Sequence, residues 1–96
     1  MDLTLEIIES YGFEKTTNRP DWDDVQNNYT LKNGLELSCL TVCGNKPTKC
    51  DSLEGLDGFI YITTKEQLDD LNSKTFEQIC KDIAKVNDDF EIEEYI

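Results

Sequence analysis

The chain is predicted to fold as one α+β domain. A small, mostly antiparallel sheet with an Asn-Gly hairpin should carry a short N-terminal helix and one or two C-terminal helices packed on one face. Three observations lead there. Ninety-six residues suffice for a single domain with one modest core. Apolar residues alternate with polar ones on either side of Asn33-Gly34, the pattern of paired strands. Two threonine-led capping sequences precede apolar residues spaced three and four apart, the pattern of amphipathic helices.

The first element is a helix over 5–11, with Thr4 as N-cap and Gly12 where a left-handed C-cap belongs. A short strand over 13–16 follows, then a polar turn over 18–24 that holds Pro20 and Trp22. Residues 29–32 and 35–38 read as strands joined by a two-residue type I′ turn, because Asn and Gly both tolerate positive φ. The second strand is taken to run on to Val42. Residues 44–58, rich in Asn, Lys, Pro, Asp and Gly, are expected to be a long loop, and 59–62 a strand. Thr63 or Thr64 caps the next helix, whose apolar face includes Leu68 and Leu71. Thr75-x-x-Gln78 is a capping box ahead of Phe76, Ile79, Cys80, Ile83 and Val86. Residues 88–96 alternate in the manner of an edge strand, and an acidic tail is the other reading.

Charge is the most unusual bulk property. Asp and Glu number 21 against 9 Lys and Arg, a net charge of −12. Such a surface repels nucleic acid and anionic membranes and attracts basic proteins. The basic residues are scattered, with Lys46 and Lys49 the one close pair in a loop, so direct nucleic-acid binding is not expected. No apolar run reaches the length of a membrane span, and Met1-Asp2-Leu3-Thr4 lacks the basic and apolar regions of a secretory signal. A cytoplasmic location and reduced thiols are the resulting expectations.

There is no histidine, which removes Cys–His and Ser–His–Asp nucleophiles and the commonest zinc ligand. Nothing marks a carboxylate pair in unlike environments, so catalysis is not expected, nor is any cofactor. Cys39, Cys43, Cys50 and Cys80 supply the four thiols of a tetrahedral zinc site, but their spacing departs from paired Cys-x2-Cys turns. Cys39 and Cys43 would stand about 13 Å apart on a regular strand. Cys80 falls in an apolar helical stripe, where it acts as a small core residue. Free thiols are preferred over a zinc module and over a Cys43–Cys50 disulfide. The loop over 51–58 has three acids but apolar residues where an EF-hand needs oxygen ligands.

A partner-binding surface is the stronger expectation. Asp88, Asp89, Phe90, Glu91, Glu93, Glu94 and Tyr95 join five carboxylates to aromatic anchors without a base. Trp22, beside Asp23 and Asp24, is either an interface residue or, the preferred reading, a core plug.

Tyr11-Gly12-Phe13-Glu14-Lys15, Tyr29-x-Leu31-x-x-Gly34-Leu35-Glu36-Leu37, Phe59-x-Tyr61-Ile62-x-Thr64 and Leu68-x-x-Leu71 occur in this order over residues 3–72. In this the chain resembles small orphan α+β proteins of unknown function carried by phages and mobile elements of gut anaerobes. The cysteine-bearing loop, the last helix and the acidic C-terminal stretch depart from the pattern. The resemblance implies mobile-element cargo, among which small acidic inhibitors of host defence proteins are frequent. The expected function is therefore a non-enzymatic module that presents an acidic face to a basic nucleic-acid-handling protein. An immunity protein that neutralises a basic toxin is the first alternative, and a small zinc-binding structural module the second.

Overall fold

A computed structural model describes residues 1–18, 25–41 and 49–96 and shows the expected α+β class. In order come α1 (Leu5–Ser10), β1 (Glu14–Asn18), β2 (Val25–Thr30), β3 (Glu36–Thr41), β4 (Leu53–Gly55), β5 (Ile60–Ile62), α2 (Lys65–Ser73) and α3 (Phe76–Val86). The strands form one sheet in sequence order, and each neighbouring pair is antiparallel. Trp22, Asp23, Asp24 and Cys43 lie outside the described residues.

Alternation along the strands divides the sheet into two unlike faces. Tyr29, Leu37, Gly55 and Ile60 are successive partners across β2 to β5, and Asn27 stands opposite Cys39. The buried side chains of this face join Ile8 of α1, Leu68 of α2 and Ile79 of α3 in one core cluster. All three helices therefore cover the same side. Gly55 is needed in the row, since a Cβ there would stand 2.8 Å from Leu37 Cδ2 and 3.0 Å from the Glu36 carbonyl oxygen. The opposite face carries Gln26, Glu36, Ser38, Leu40, Glu54 and Tyr61, and no described helix packs on it.

The caps explain the helix starts. Thr4 Oγ1 accepts from Ile7 N at 3.2 Å. Thr64, not Thr63, caps α2: its hydroxyl accepts from Gln67 N at 3.2 Å while Gln67 Oε1 accepts from Thr64 N at 3.1 Å. Thr75 and Gln78 repeat the reciprocal pair at α3. Ile79 and Cys80 are buried as their spacing implies, whereas Val86, at the end of the stripe, is 87% exposed.

Several expectations are corrected. The β2–β3 connection is not a two-residue type I′ turn. Gly34 has φ +90°, but among the described residues only Leu56 and Asp57 combine a side chain with positive φ, so Asn33 is not left-handed. Gly34 N donates to the Leu31 carbonyl at 3.0 Å and Leu31 N to the Leu35 carbonyl at 2.9 Å, which makes Lys32-Asn33-Gly34 a three-residue loop. In this geometry the Asn33 amide donates to the carbonyls of Leu71 and Lys74, at 3.0 and 2.7 Å, beside the end of α2.

The expected loop over 44–58 contains β4 and a tight turn at Leu56–Gly58. Residues 88–96 form neither an edge strand nor a tail, as their only regular element is a 3-10 turn at Ile92–Glu94. Cys39 and Cys50 are joined in a disulfide with Cα atoms 6.1 Å apart, so neither is a free thiol. The β3–β4 pairing brings the chain ahead of Leu53 back beside Cys39. This removes the Cys43–Cys50 pairing and takes two thiolates from the zinc set. Cys80 is a free thiol buried in α3, and burial pushes its pKa up. No helix among the described residues is long and apolar enough to cross a membrane.

Candidate functional site

Phe90 is the pivot of the C-terminal segment. After α3 ends, Asn87 Oδ1 accepts from Asp89 N at 3.1 Å and the Asn87 carbonyl accepts from Phe90 N at 3.2 Å, which turns the chain back. The Phe90 ring, 6% exposed, meets Phe59 edge-on and stacks on Tyr95, each at 5.0 Å between centroids. Bonds from Glu94 N to the Glu91 carbonyl and from Tyr95 N to the Ile92 carbonyl, both 3.0 Å, close the 3-10 turn. The anchors that sequence assigned to a partner thus serve the molecule's own packing. Phe90 is buried and Tyr95 half-buried, while Asp88, Asp89, Glu91, Glu93 and Glu94 are all exposed.

These carboxylates crowd one another. A hydrogen bond with Glu91 raises the Glu94 pKa above its ordinary 4.5, aided by the charge of Glu91, by some loss of solvation and by the charges of Glu93 and Asp57. Asp57 comes from the turn after β4. Leu56 and Asp57 hold left-handed backbone there, with φ of 48° and 57°, a conformation that costs roughly 1–2 kcal/mol per non-glycine residue. The turn brings the Asp57 carboxylate to the Tyr95 hydroxyl, which donates to it. That bond is the main cause that pushes the Tyr95 phenol up to about 12.

Beside Tyr95 lies a cleft of about 550 Å³ that opens on the outer face of the sheet. Its floor includes Gln26 of β2, Glu36 and Ser38 of β3 and Glu54 of β4, and its rim Asp57 and Tyr95. Ser38 stands opposite Glu54, and Glu36 is two residues along β3, so both glutamates project from the same face. Glu36 was legible in the alternation of Leu35-Glu36-Leu37-Ser38. Glu54 and Asp57 were not, since the three-residue strand that orients Glu54 shows no period and the tight turn that carries Asp57 follows directly on it.

The cations lie elsewhere. Lys15 pairs with Glu9 at 2.9 Å and Lys65 with Asp69 at 2.7 Å. Lys74 pairs with Asp70 and Asp82, and Lys81 with Glu77. Among the described residues no ion pair reaches Glu36, Glu54, Asp57 or the five C-terminal carboxylates. The helices neutralise much of their own charge, whereas the C-terminal turn and outer sheet face do not.

A second polar cluster links the buried Asn27 and Tyr29 to the surface: Thr17 Oγ1 donates to Asn27 Oδ1 at 2.9 Å and Tyr29 OH donates to Glu9 Oε1 at 3.1 Å. Burial first, then Glu9, pushes the Tyr29 phenol up to about 12, so it stays protonated as a structural donor. Among the described residues no group of three or more Cys, Asp or Glu side chains is arranged to hold a metal ion. Comparison with protein-family models, curated proteins and solved structures returns no match.

Proposed function

We propose that the chain is a non-enzymatic protein-binding module, of the anti-defence kind carried by phages and mobile elements, that presents an acidic face to a basic nucleic-acid-handling protein. One observation carries the proposal: among the described residues, most carboxylates without a paired cation gather on the C-terminal turn, the turn after β4 and the adjoining sheet face, with Asp2, Glu6 and Glu14 the exceptions. Placed opposite a phosphate-binding groove, they would offer the charge attraction that DNA offers. The segment that carries five of them is anchored by Phe90 and Tyr95, so little backbone ordering is left for the partner to impose. The absence of histidine and the exposure of the carboxylate pair Glu91 and Glu94 support a binding role over acid–base chemistry.

The Cys39–Cys50 bond bears on location. Disulfides persist in oxidising compartments and are reduced in the cytosol, so a cytoplasmic module would have to work with both thiols free.

Affinity capture on immobilised protein, washed at low and then physiological salt, tests the proposal against an E91Q/E93Q/E94Q variant. The partner should be basic, should elute steeply with salt, and should be captured poorly by the variant. Equal capture by both proteins, with no salt dependence, would contradict the proposal.

A further inference from the structure

We propose that the cleft on the outer sheet face is the seat of an arginine side chain from the partner protein. This deepens the function proposed above and rests on it. The face is bare: no described helix packs on it, and Leu40 and Tyr61, both 59% exposed, stand on it as uncovered apolar surface. Among the described residues its charge is of one sign: Glu36, Glu54 and Asp57 line the cleft, no described Lys or Arg does, and none of the three carboxylates pairs with a described cation.

Position favours a guanidinium over an ammonium. Glu36 and Glu54 are diagonal neighbours across β3 and β4, a relation that sets side chains about 7–8 Å apart at their roots. A planar fork with donors on two sides can meet both carboxylates, which a compact ammonium cannot do as well. Tyr95 supplies an aromatic wall of the kind on which guanidinium groups stack. The Tyr95 ring is held from behind by Phe90, and its hydroxyl is engaged by Asp57. Gln26 and Ser38 are turned toward Asn28, whose Oδ1 accepts from both at 2.9 and 2.7 Å, so the polar floor is fixed before a ligand arrives. Leu40, two residues along β3 from Ser38, and Tyr61, opposite Glu54, are exposed on the same face and suit an apolar residue next to the arginine. Nucleic acid and anionic lipid are excluded by the sign of the charge.

A fluorescein-labelled arginine-rich peptide, titrated by anisotropy at low salt, tests this. Its lysine counterpart serves as the comparison, and amide shifts are mapped by NMR. The arginine peptide should bind more tightly than the lysine peptide and shift the amides of Gln26, Ser38 and Glu54. E36Q/E54Q should weaken it about tenfold, the worth of two half-shielded ion pairs. E91Q/E93Q, an equal change of charge outside the cleft, should weaken it by no more than about threefold through lost long-range attraction. Gln26→Arg, which places a guanidinium in the cleft from within, should block the peptide while the fold is kept, as read by the same NMR spectra. Equal losses for the two double variants would overturn the cleft and leave the acidic-face function standing. Binding unaffected by either would overturn the cleft and count against that function as well. If the wild-type protein binds neither peptide, the cleft proposal falls, and the capture experiment alone decides the function.

Discussion

Asn33 shows how one side chain can join two elements. Its carbonyl accepts from Leu35 N at 3.0 Å inside the hairpin loop, while its amide donates to Leu71 and Lys74, carbonyls at the end of α2. Helix ends leave carbonyls without partners, and here the sheet supplies the donors. Asn33→Ala should lower stability by about 1–3 kcal/mol, since a half-buried donor is lost and the Lys74 carbonyl loses its bond, whereas the Leu71 carbonyl keeps Lys74 N. Asn33→Asp should be at least as harmful, because it keeps the loop contact yet turns a carboxylate toward the helix's negative end. Urea denaturation of both variants checks this, and an Asp variant as stable as wild type would show that the loop bond alone matters. The Asn-Gly pair was legible as a turn. Its turn type was not, because the bond that decides Asn33's backbone goes to a helix about forty residues on, which no local rule can see.

Among the elements, the helices were the most legible, since each start is a local bond between a threonine and its own first turn. Even there Thr63-x-x-Glu66 and Thr64-x-x-Gln67 compete, and only the bonds to Gln67 decide for Thr64. β4 was illegible because three residues, Leu53–Gly55, carry no period. The disulfide was hidden for the same reason, as the β3–β4 pairing is what returns Cys50 to Cys39. Phe90 and Ile92 mimic strand alternation, yet stacking on Phe59 and Tyr95 wins and the segment turns. The 11-residue separation of the two cysteines closes a loop whose entropy is worth about 3 kcal/mol in the unfolded chain. C39S/C50S should lose about that much, and wild-type protein in reductant should match it. If the reduced protein still binds a basic partner, the module can work in the cytosol. Loss of both fold and binding on reduction would confine it to an oxidising compartment.

At the scale of the whole molecule the net charge of −12 opposes the compact state. The Cα radius of gyration is 13.7 Å and the Debye length about 10 Å at 0.1 M salt, so repulsion across the molecule is felt at low salt and largely screened at physiological salt. The urea midpoint should therefore rise with added sodium chloride. Protons act on the same repulsion with a definite sign. Glu94 is held above its ordinary 4.5 by Glu91 and its other acidic neighbours, so the folded state binds that proton more tightly than the unfolded chain does. Stability gains as pH falls through the raised value, and the gain is complete below about 4.5. Asp69, held below 3.8 by Lys65 and Tyr11, and Glu66, held below 4.5 by the N-terminal amine, act in reverse. Their contribution is present above those ordinary values and disappears as pH falls through the depressed ones. In alkali, Tyr29 and Tyr95, each near 12 against an ordinary 10, stabilise fully below 10 and lose that effect as pH rises through 12. The profile should thus rise on the mildly acidic side of neutrality, then fall at both extremes. E94Q should raise the midpoint at neutral pH and reduce the acidic-side rise while leaving both falls in place. Urea midpoints across pH at fixed ionic strength measure this. A wild-type profile flat from neutrality to pH 4.5 would mean that Glu91 and its other acidic neighbours do not hold the Glu94 proton.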